Sequence, residues 1–168
     1  MTDQELIHRI ALSMLKGIGP MNARNLVAYC GGVDPIFSDK KLKNTLEKVP
    51  GIGPKLIASI TDKKVMPAAE KELAYVRKNK LRMLFYLDAE FPRRLKQCED
   101  APVILFVKGN ADLDEARMVS IVGTRTPTEP GKQLCVELVQ GLKEVNATIV
   151  SGAPDVNCSK LSSTNSNW

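Results

Sequence analysis

The stretch that decides the fold of this chain is Ser120-Ile121-Val122-Gly123-Thr124-Arg125-Thr126-Pro127-Thr128. It predicts a buried strand that ends in a glycine turn, followed by an arginine and the start of a helix. In that arrangement backbone N–H groups, the positive end of a helix and a guanidinium all face one spot. The stretch therefore predicts a phosphate-binding turn in an α/β domain.

The sequence around this turn alternates apolar runs with helical patterns. Unbroken apolar strands between helices predict a mostly parallel sheet of about four strands over residues 81–152. Ala153 to Trp168 is polar and does not continue the pattern. The strands are expected at Leu81–Leu87, Val103–Val107, Met118–Val122 and Ala147–Val150, and the helices at Phe91–Cys98 and Thr128–Glu144.

The N-terminal part contains an internal repeat. Gly17-Ile18-Gly19-Pro20 recurs thirty-four positions later as Gly51-Ile52-Gly53-Pro54. Each copy predicts a helix, a tight glycine turn and a second helix that begins at the proline. The predicted helices include Met21–Tyr29 and Lys40–Lys48. Residues 1–65 are therefore expected to form a helical domain, joined by a connecting helix within residues 66–80.

These repeats resemble the helix–hairpin–helix motif of SAM-like domains. Glycines there expose backbone N–H groups that hold a DNA phosphate without reading bases. The second copy is the better candidate, with Gly51, Gly53 and Lys55, because Met21 stands where Lys55 would in the first copy. A structural or protein-binding repeat is the alternative.

The charge of the chain is unevenly distributed. The 168 residues carry a net charge of +5, with 43% hydrophobic and 26% charged residues, typical of a globular protein. Fourteen Lys and Arg against eight Asp and Glu give residues 1–80 a charge of +6. This favours a polyanionic partner, and a solvated lysine face is the alternative.

Other classes of site have little support in the sequence. No C-x-x-C pair occurs and His8 is the single histidine, so neither a metal nor another cofactor is expected. No apolar run is long enough to span a membrane, and residues 1–5 lack a signal-peptide core. A cytoplasmic location is therefore expected.

Four ordered segments resemble the DNA-processing protein DprA (Smf) family, and the resemblance covers about residues 5–152. Their order and spacing also match, and the helical repeat in front is typical of many members. The segments are Asp88-Ala89-Glu90-Phe91-Pro92-Arg93-Arg94-Leu95, Ala101-Pro102-Val103-Ile104-Leu105-Phe106-Val107-Lys108-Gly109, Ile121-Val122-Gly123-Thr124-Arg125 and Ile149-Val150-Ser151-Gly152.

The resemblance implies an extended Rossmann-like domain and a set of functions. Members bind and protect single-stranded DNA and load the recombinase RecA in natural transformation and DNA recombination, and they are not enzymes. Gly123, Thr124 and Arg125 match the motif that lines the DNA pocket. Ser151 and Gly152 match the start of a second pocket motif.

The chain departs from the family after Gly152. A Leu-Ala-x-Gly-Ile-Asp-like segment is replaced by Ala153-Pro154-Asp155-Val156-Asn157, and Pro130 stands where an aromatic residue is common. The Rossmann-like domain is therefore expected to be incomplete, with an aberrant tail over residues 153–168 and the dimerisation region missing. An exposed apolar patch and an open strand edge are expected to follow.

Two other functions stay open. Half of a Rossmann-type domain would be compatible with a nucleotide-using enzyme. The chain, however, has no G-x-G-x-x-G, no Walker A motif and no Ser/His/Asp set. A helix–hairpin–helix DNA-binding module is the other alternative. A fragment without its own function is a further possibility.

Overall fold

The computed structural model describes residues 2–38, 46, 51–122 and 126–151. The chain divides into two compact units, residues 1–109 and 110–168, which we call unit 1 and unit 2. Helices and small sheets are mixed, consistent with an α/β fold. Among the described residues no helix is long and apolar enough to cross a membrane.

Unit 1 holds α1 (Asp3–Ser13), α2 (Pro20–Cys30), α3 (Asp34–Ser38), α4 (Pro54–Ile60), α5 (Val65–Lys78), β1 (Arg82–Phe85), α6 (Arg93–Lys96) and β2 (Ile104–Val107). Unit 2 holds β3 (Met118–Ser120), α7 (Glu129–Glu144) and β4 (Thr148–Val150).

The helix boundaries in unit 1 follow the turn residues of the repeat. The Thr2 side chain accepts a hydrogen bond from the Glu5 N–H and begins α1. Proline stands at the start of α2 and of α4, as predicted, because the first helical position needs no N–H donor. The predicted helix over Lys40–Lys48 lies outside the described residues, apart from Leu46, which is buried.

Two apolar clusters stabilise unit 1. The larger one joins the helices of the repeat to β1, where Phe85 is buried. In the smaller one α1 packs against α5, so that the predicted connecting helix is itself part of the core. The larger cluster contains Leu12, Leu15, Ala23, Leu26, Val27, Val33, Ile36, Leu46, Ile52, Ile57, Ile60, Phe85 and Val103, and the smaller Ile10, Ala11, Ala69, Leu73 and Ile104.

The pairing of β1 and β2 corrects the predicted mostly parallel sheet of about four strands. Among the described residues the strands form two separate pairs, and β1 runs antiparallel to β2 with Arg82 opposite Val107. A parallel pair needs a long crossover, usually a helix, but only the four-residue α6 lies between β1 and β2. The chain therefore reverses direction between β1 and β2.

Unit 2 contains a parallel pair, as the alternation of apolar runs and helical patterns predicted, but the strand expected to be buried before Gly123 is only half-buried to exposed. Ser120 of β3 pairs with Val150 of β4, and α7 packs against β4. No described residue of 110–122 or 126–151 is buried. Val122 is 92% exposed and Leu134 is 67% exposed. A parallel pair normally hides both faces, so the described part of unit 2 has little core of its own.

Candidate nucleic-acid interface

The second glycine turn, predicted to bind phosphate, has a glycine in the left-handed backbone region and is followed by a helix. Gly51 has a φ of +81°, a conformation that glycine adopts without steric cost. Gly53 precedes the first residue of α4, and no side chain caps that helix. Lys55 is exposed in the first turn of α4. The three predicted residues therefore lie together on a short segment of unit 1.

The two glycine turns pack against each other's second helix. A Cβ atom added to Gly17, whose φ is +76°, would lie 3.2 Å from Cδ2 of Leu56 in α4. A Cβ atom added to Gly51 would lie 2.8 Å from Oδ1 of Asn22 in α2. Because Gly17 corresponds to Gly51 and Asn22 to Leu56 in the repeat, the two contacts are reciprocal.

The reciprocal contacts differ in chemistry. An apolar Leu56 side chain covers the first turn, whereas the carboxamide of Asn22 lies beside the second. A polar amide suits a site that exchanges water for a phosphate oxygen better than a leucine methyl does. Sequence reasoning missed Asn22, because the thirty-four-residue repeat aligns it with Leu56 but gives no sign of its contact with Gly51.

The predicted pocket residues of unit 2 fall largely outside the described part of the chain. Gly123, Thr124, Arg125 and Gly152 are not among the described residues, and Ser151 is exposed. Their placement therefore stays a prediction.

The strands that precede these residues end at the same edge of their sheet. The Ile121 N–H donates to the Val150 carbonyl at 2.9 Å, so the chain leaves β3 beside the end of β4. Thr128 then begins α7 by accepting a hydrogen bond from the Gly131 N–H, at the start of the predicted helix Thr128–Glu144. The carboxyl edge of parallel strands is where open α/β sheets bind ligands.

Arg9 joins α1 to the loop after β1. Its guanidinium donates to Asp88 at 2.9 Å and to Glu5 at 2.9 Å, and it lies 4.7 Å from the centre of the Phe85 ring. The side chain is only 12% exposed. Asp88 also accepts the Phe85 N–H. Arg9 is therefore a structural cation and is not available to a DNA phosphate.

Arg24, in α2, likewise joins a helix to the segment between β1 and β2. It donates to the carbonyl oxygens of Cys98 and Ala101, both at 3.2 Å, and lies over the Tyr86 ring. Burial raises the pKa of the Tyr86 phenol, and the positive charge of Arg24 opposes that rise. Arg9 and Arg24 together, here called the arginine clamp, attach the β1–β2 hairpin to the helices.

The single histidine is part of the core. His8 is buried in α1, its Nδ1 lies 2.6 Å from Oδ1 of Asp34, and its ring stacks on Phe37. This contact joins α1 to α3. Among the described residues no group of three potential metal ligands occurs.

Comparison with known proteins finds a family model that matches the C-terminal part of the chain. Residues 82–154 match the model of DNA recombination-mediator protein A. The protein Smf of Synechocystis is 28% identical over 156 residues, which are 90% of this chain and 39% of that protein. The chain is therefore similar to proteins of the DprA (Smf) family.

Two further relatives match shorter parts of the chain. The DNA processing protein DprA of Streptococcus pneumoniae is 42% identical over 66 residues, which cover 39% of this chain and 23% of that protein. The DNA processing protein DprA of Bacillus subtilis is 34% identical over 87 residues, covering 51% of this chain and 29% of that protein. The chain thus spans well under half the length of the curated relatives it matches.

Proposed function

We propose that this chain binds and protects single-stranded DNA and delivers it to the recombinase RecA during natural transformation and DNA recombination. The match of residues 82–154 to the family model supports a role in DNA processing, and two of the similar proteins are named for that role. The proposed role is binding and delivery, with no bond made or broken, so we propose no enzymatic activity. A cytoplasmic location would follow, because the recombinase acts on DNA there.

The observation that carries the proposal is the second glycine turn. Gly51 has a positive φ, Gly53 precedes α4, and Lys55 is exposed beside them, with the Asn22 amide nearby. A phosphate at this turn would meet backbone N–H groups and an ammonium group, neither of which distinguishes bases. Binding at this place is expected to be independent of DNA sequence.

We propose a second phosphate contact in unit 2, made by Gly123, Thr124 and Arg125 with Ser151 and Gly152. The parallel register of β3 and β4 supports this, because residues after both strands leave from one edge. Arg125→Ala is expected to weaken single-stranded DNA binding about tenfold, a loss of about 1.4 kcal/mol.

A matched pair of glycine substitutions tests the proposal at the second turn. A Cβ atom at Gly53 or at Gly19 meets no atom within 4 Å, so alanine fits at both positions. Fluorescence anisotropy of a labelled oligothymidine strand should show weaker binding for Gly53→Ala and unchanged binding for Gly19→Ala. Lys55→Ala should lower the slope of log affinity against log salt by about 0.7. Equal binding by all three variants and the wild type would refute the assignment of this turn.

A second candidate is a DNA-binding module confined to unit 1, and a specific observation favours it. Both described apolar cores lie in unit 1, whereas no described residue of unit 2 is buried. In that case Arg125→Ala would leave binding unchanged while Lys55→Ala would weaken it. The same titrations therefore separate the two candidates.

A further inference from the structure

A run of basic residues crosses the junction between α5 and β1. The sequence Arg77-Lys78-Asn79-Lys80-Leu81-Arg82 contains four cations and no acidic residue, and Lys78 and Lys80 are exposed. Strand pairing brings exposed Lys108 to the same end of the β1–β2 hairpin, because it follows Val107, the partner of Arg82. Asp3 pairs with Arg77, so Arg77 is engaged within the fold.

Lys80 occupies a backbone conformation that lysine rarely adopts. Its φ is +52°, its N–H donates to the Arg77 carbonyl, and the next N–H, of Leu81, donates to the Val76 carbonyl at 2.9 Å. The ends of α2 and α7 are also followed by a residue with positive φ, which is Gly31 after α2 and Asn146 after α7. Glycine and asparagine are the residue types that favour this conformation. A lysine is thus present where the backbone favours glycine or asparagine.

An exposed aromatic ring lies on the helix face that carries Lys78. Tyr75 is 57% exposed, and the Asn79 side chain donates to its carbonyl at 2.9 Å. Residues three and four apart share one face of a helix, which places Tyr75 next to Lys78. Aromatic rings stack on the bases of single strands, whose faces a duplex hides.

We propose that Tyr75, Lys78, Lys80 and Lys108, here called the α5-end patch, form a further contact surface for single-stranded DNA. The lysines bind phosphates and the Tyr75 ring stacks on a base. The proposal rests on the single-stranded DNA binding proposed above and adds to it a surface that is distinct from the Gly51–Lys55 turn. The favourable effect of cations on a helix C-terminus accounts for Lys78 within the last turn, but not for Lys108, which follows β2.

The experiment measures oligothymidine binding by the full chain across a salt series, together with thermal melting. Lys80→Gly should raise the melting temperature by relieving the positive φ, yet weaken binding and lower the salt slope by about 0.7. Tyr75→Leu should weaken binding at least fivefold with an unchanged salt slope, because stacking involves no counterion.

Two control variants match these changes. Tyr29 is 54% exposed at the end of α2, and Tyr29→Leu should bind as the wild type does. Lys63 is exposed near the N-terminal end of α5, about 20 Å along the helix axis from the α5-end patch. Lys63→Gln should therefore also leave binding unchanged.

The outcomes separate this proposal from the one on which it rests. No binding by the wild type would overturn both. Weakened binding by Gly53→Ala, with wild-type binding by Lys80→Gly and Tyr75→Leu, would overturn the α5-end patch alone. A Tyr75→Leu variant that loses duplex binding as much as single-strand binding would overturn the stacking assignment.

Discussion

Gly51→Ala is expected to destabilise unit 1 by about 2 kcal/mol, through two separable effects. The φ of +81° penalises a side chain by about 1–2 kcal/mol, reduced by the lower entropy of the unfolded alanine chain. The new Cβ would also lie 2.8 Å from Oδ1 of Asn22. Rotating that amide into a poorer rotamer adds about 0.5–1 kcal/mol.

A double-mutant cycle isolates the contact with Asn22. In an Asn22→Ala background, Gly51→Ala should cost only the backbone term of about 1 kcal/mol, because the amide is gone. Gly53→Ala is the control, since its φ of −94° suits any residue and its added Cβ meets no atom within 4 Å. Its effect should be close to zero.

The assay is urea unfolding followed by far-UV circular dichroism, with the free energy extrapolated to water. The reasoning is refuted if Gly51→Ala costs no more than Gly53→Ala. It is also refuted in its steric part if Asn22→Ala leaves the cost of Gly51→Ala unchanged. Either result would mean that the two glycine turns do not pack as described.

Three further predictions concern the arginine clamp, the half-buried Cys30 thiol and a helix cap. Arg9→Lys should lower the free energy of unfolding by about 2 kcal/mol in urea titrations, since lysine cannot contact Asp88, Glu5 and the Phe85 ring together; a loss below about 0.5 kcal/mol would contradict this. Burial raises the pKa of the Cys30 thiol, so Cys30 should alkylate more slowly than exposed Cys98 near neutral pH and gain reactivity only at more alkaline pH, as mass spectrometry would show; faster labelling of Cys30 would count against it. Thr128→Ala should cost about 1 kcal/mol in α7, detected as faster amide exchange in its first turn, and unchanged exchange would argue that the cap contributes little.

Local features of the fold could be predicted from the sequence because they depend on adjacent residues. Pro20 and Pro54 mark helix starts by their missing N–H, and Thr128 caps α7 with its own side chain. The apolar runs before Gly123 and Ser151 also indicated a parallel pair correctly. In each case the physical cause lies within a few residues of its effect.

Long-range features could not be predicted in the same way. The antiparallel partner of β1 depends on how the chain returns from α6, and an apolar run carries no mark of strand direction. Asn22 and Arg9 contact partners in distant segments, and the periodicity of a helix does not reveal them. The glycines and Lys55 of the candidate site were visible as a motif, whereas the amide beside them required the structure.

The arginine clamp has a consequence for chimeric proteins. Arg9 lies 79 residues from Asp88, and Arg24 lies 74 residues from Cys98, so the contacts close very long loops. A crossover between two homologues placed in α5 would combine clamp arginines from one parent with acceptors from the other. Chimeras that exchange residues 1–109 as a block should fold more often than chimeras joined inside it, because each retains a co-adapted set of donors, rings and carbonyls.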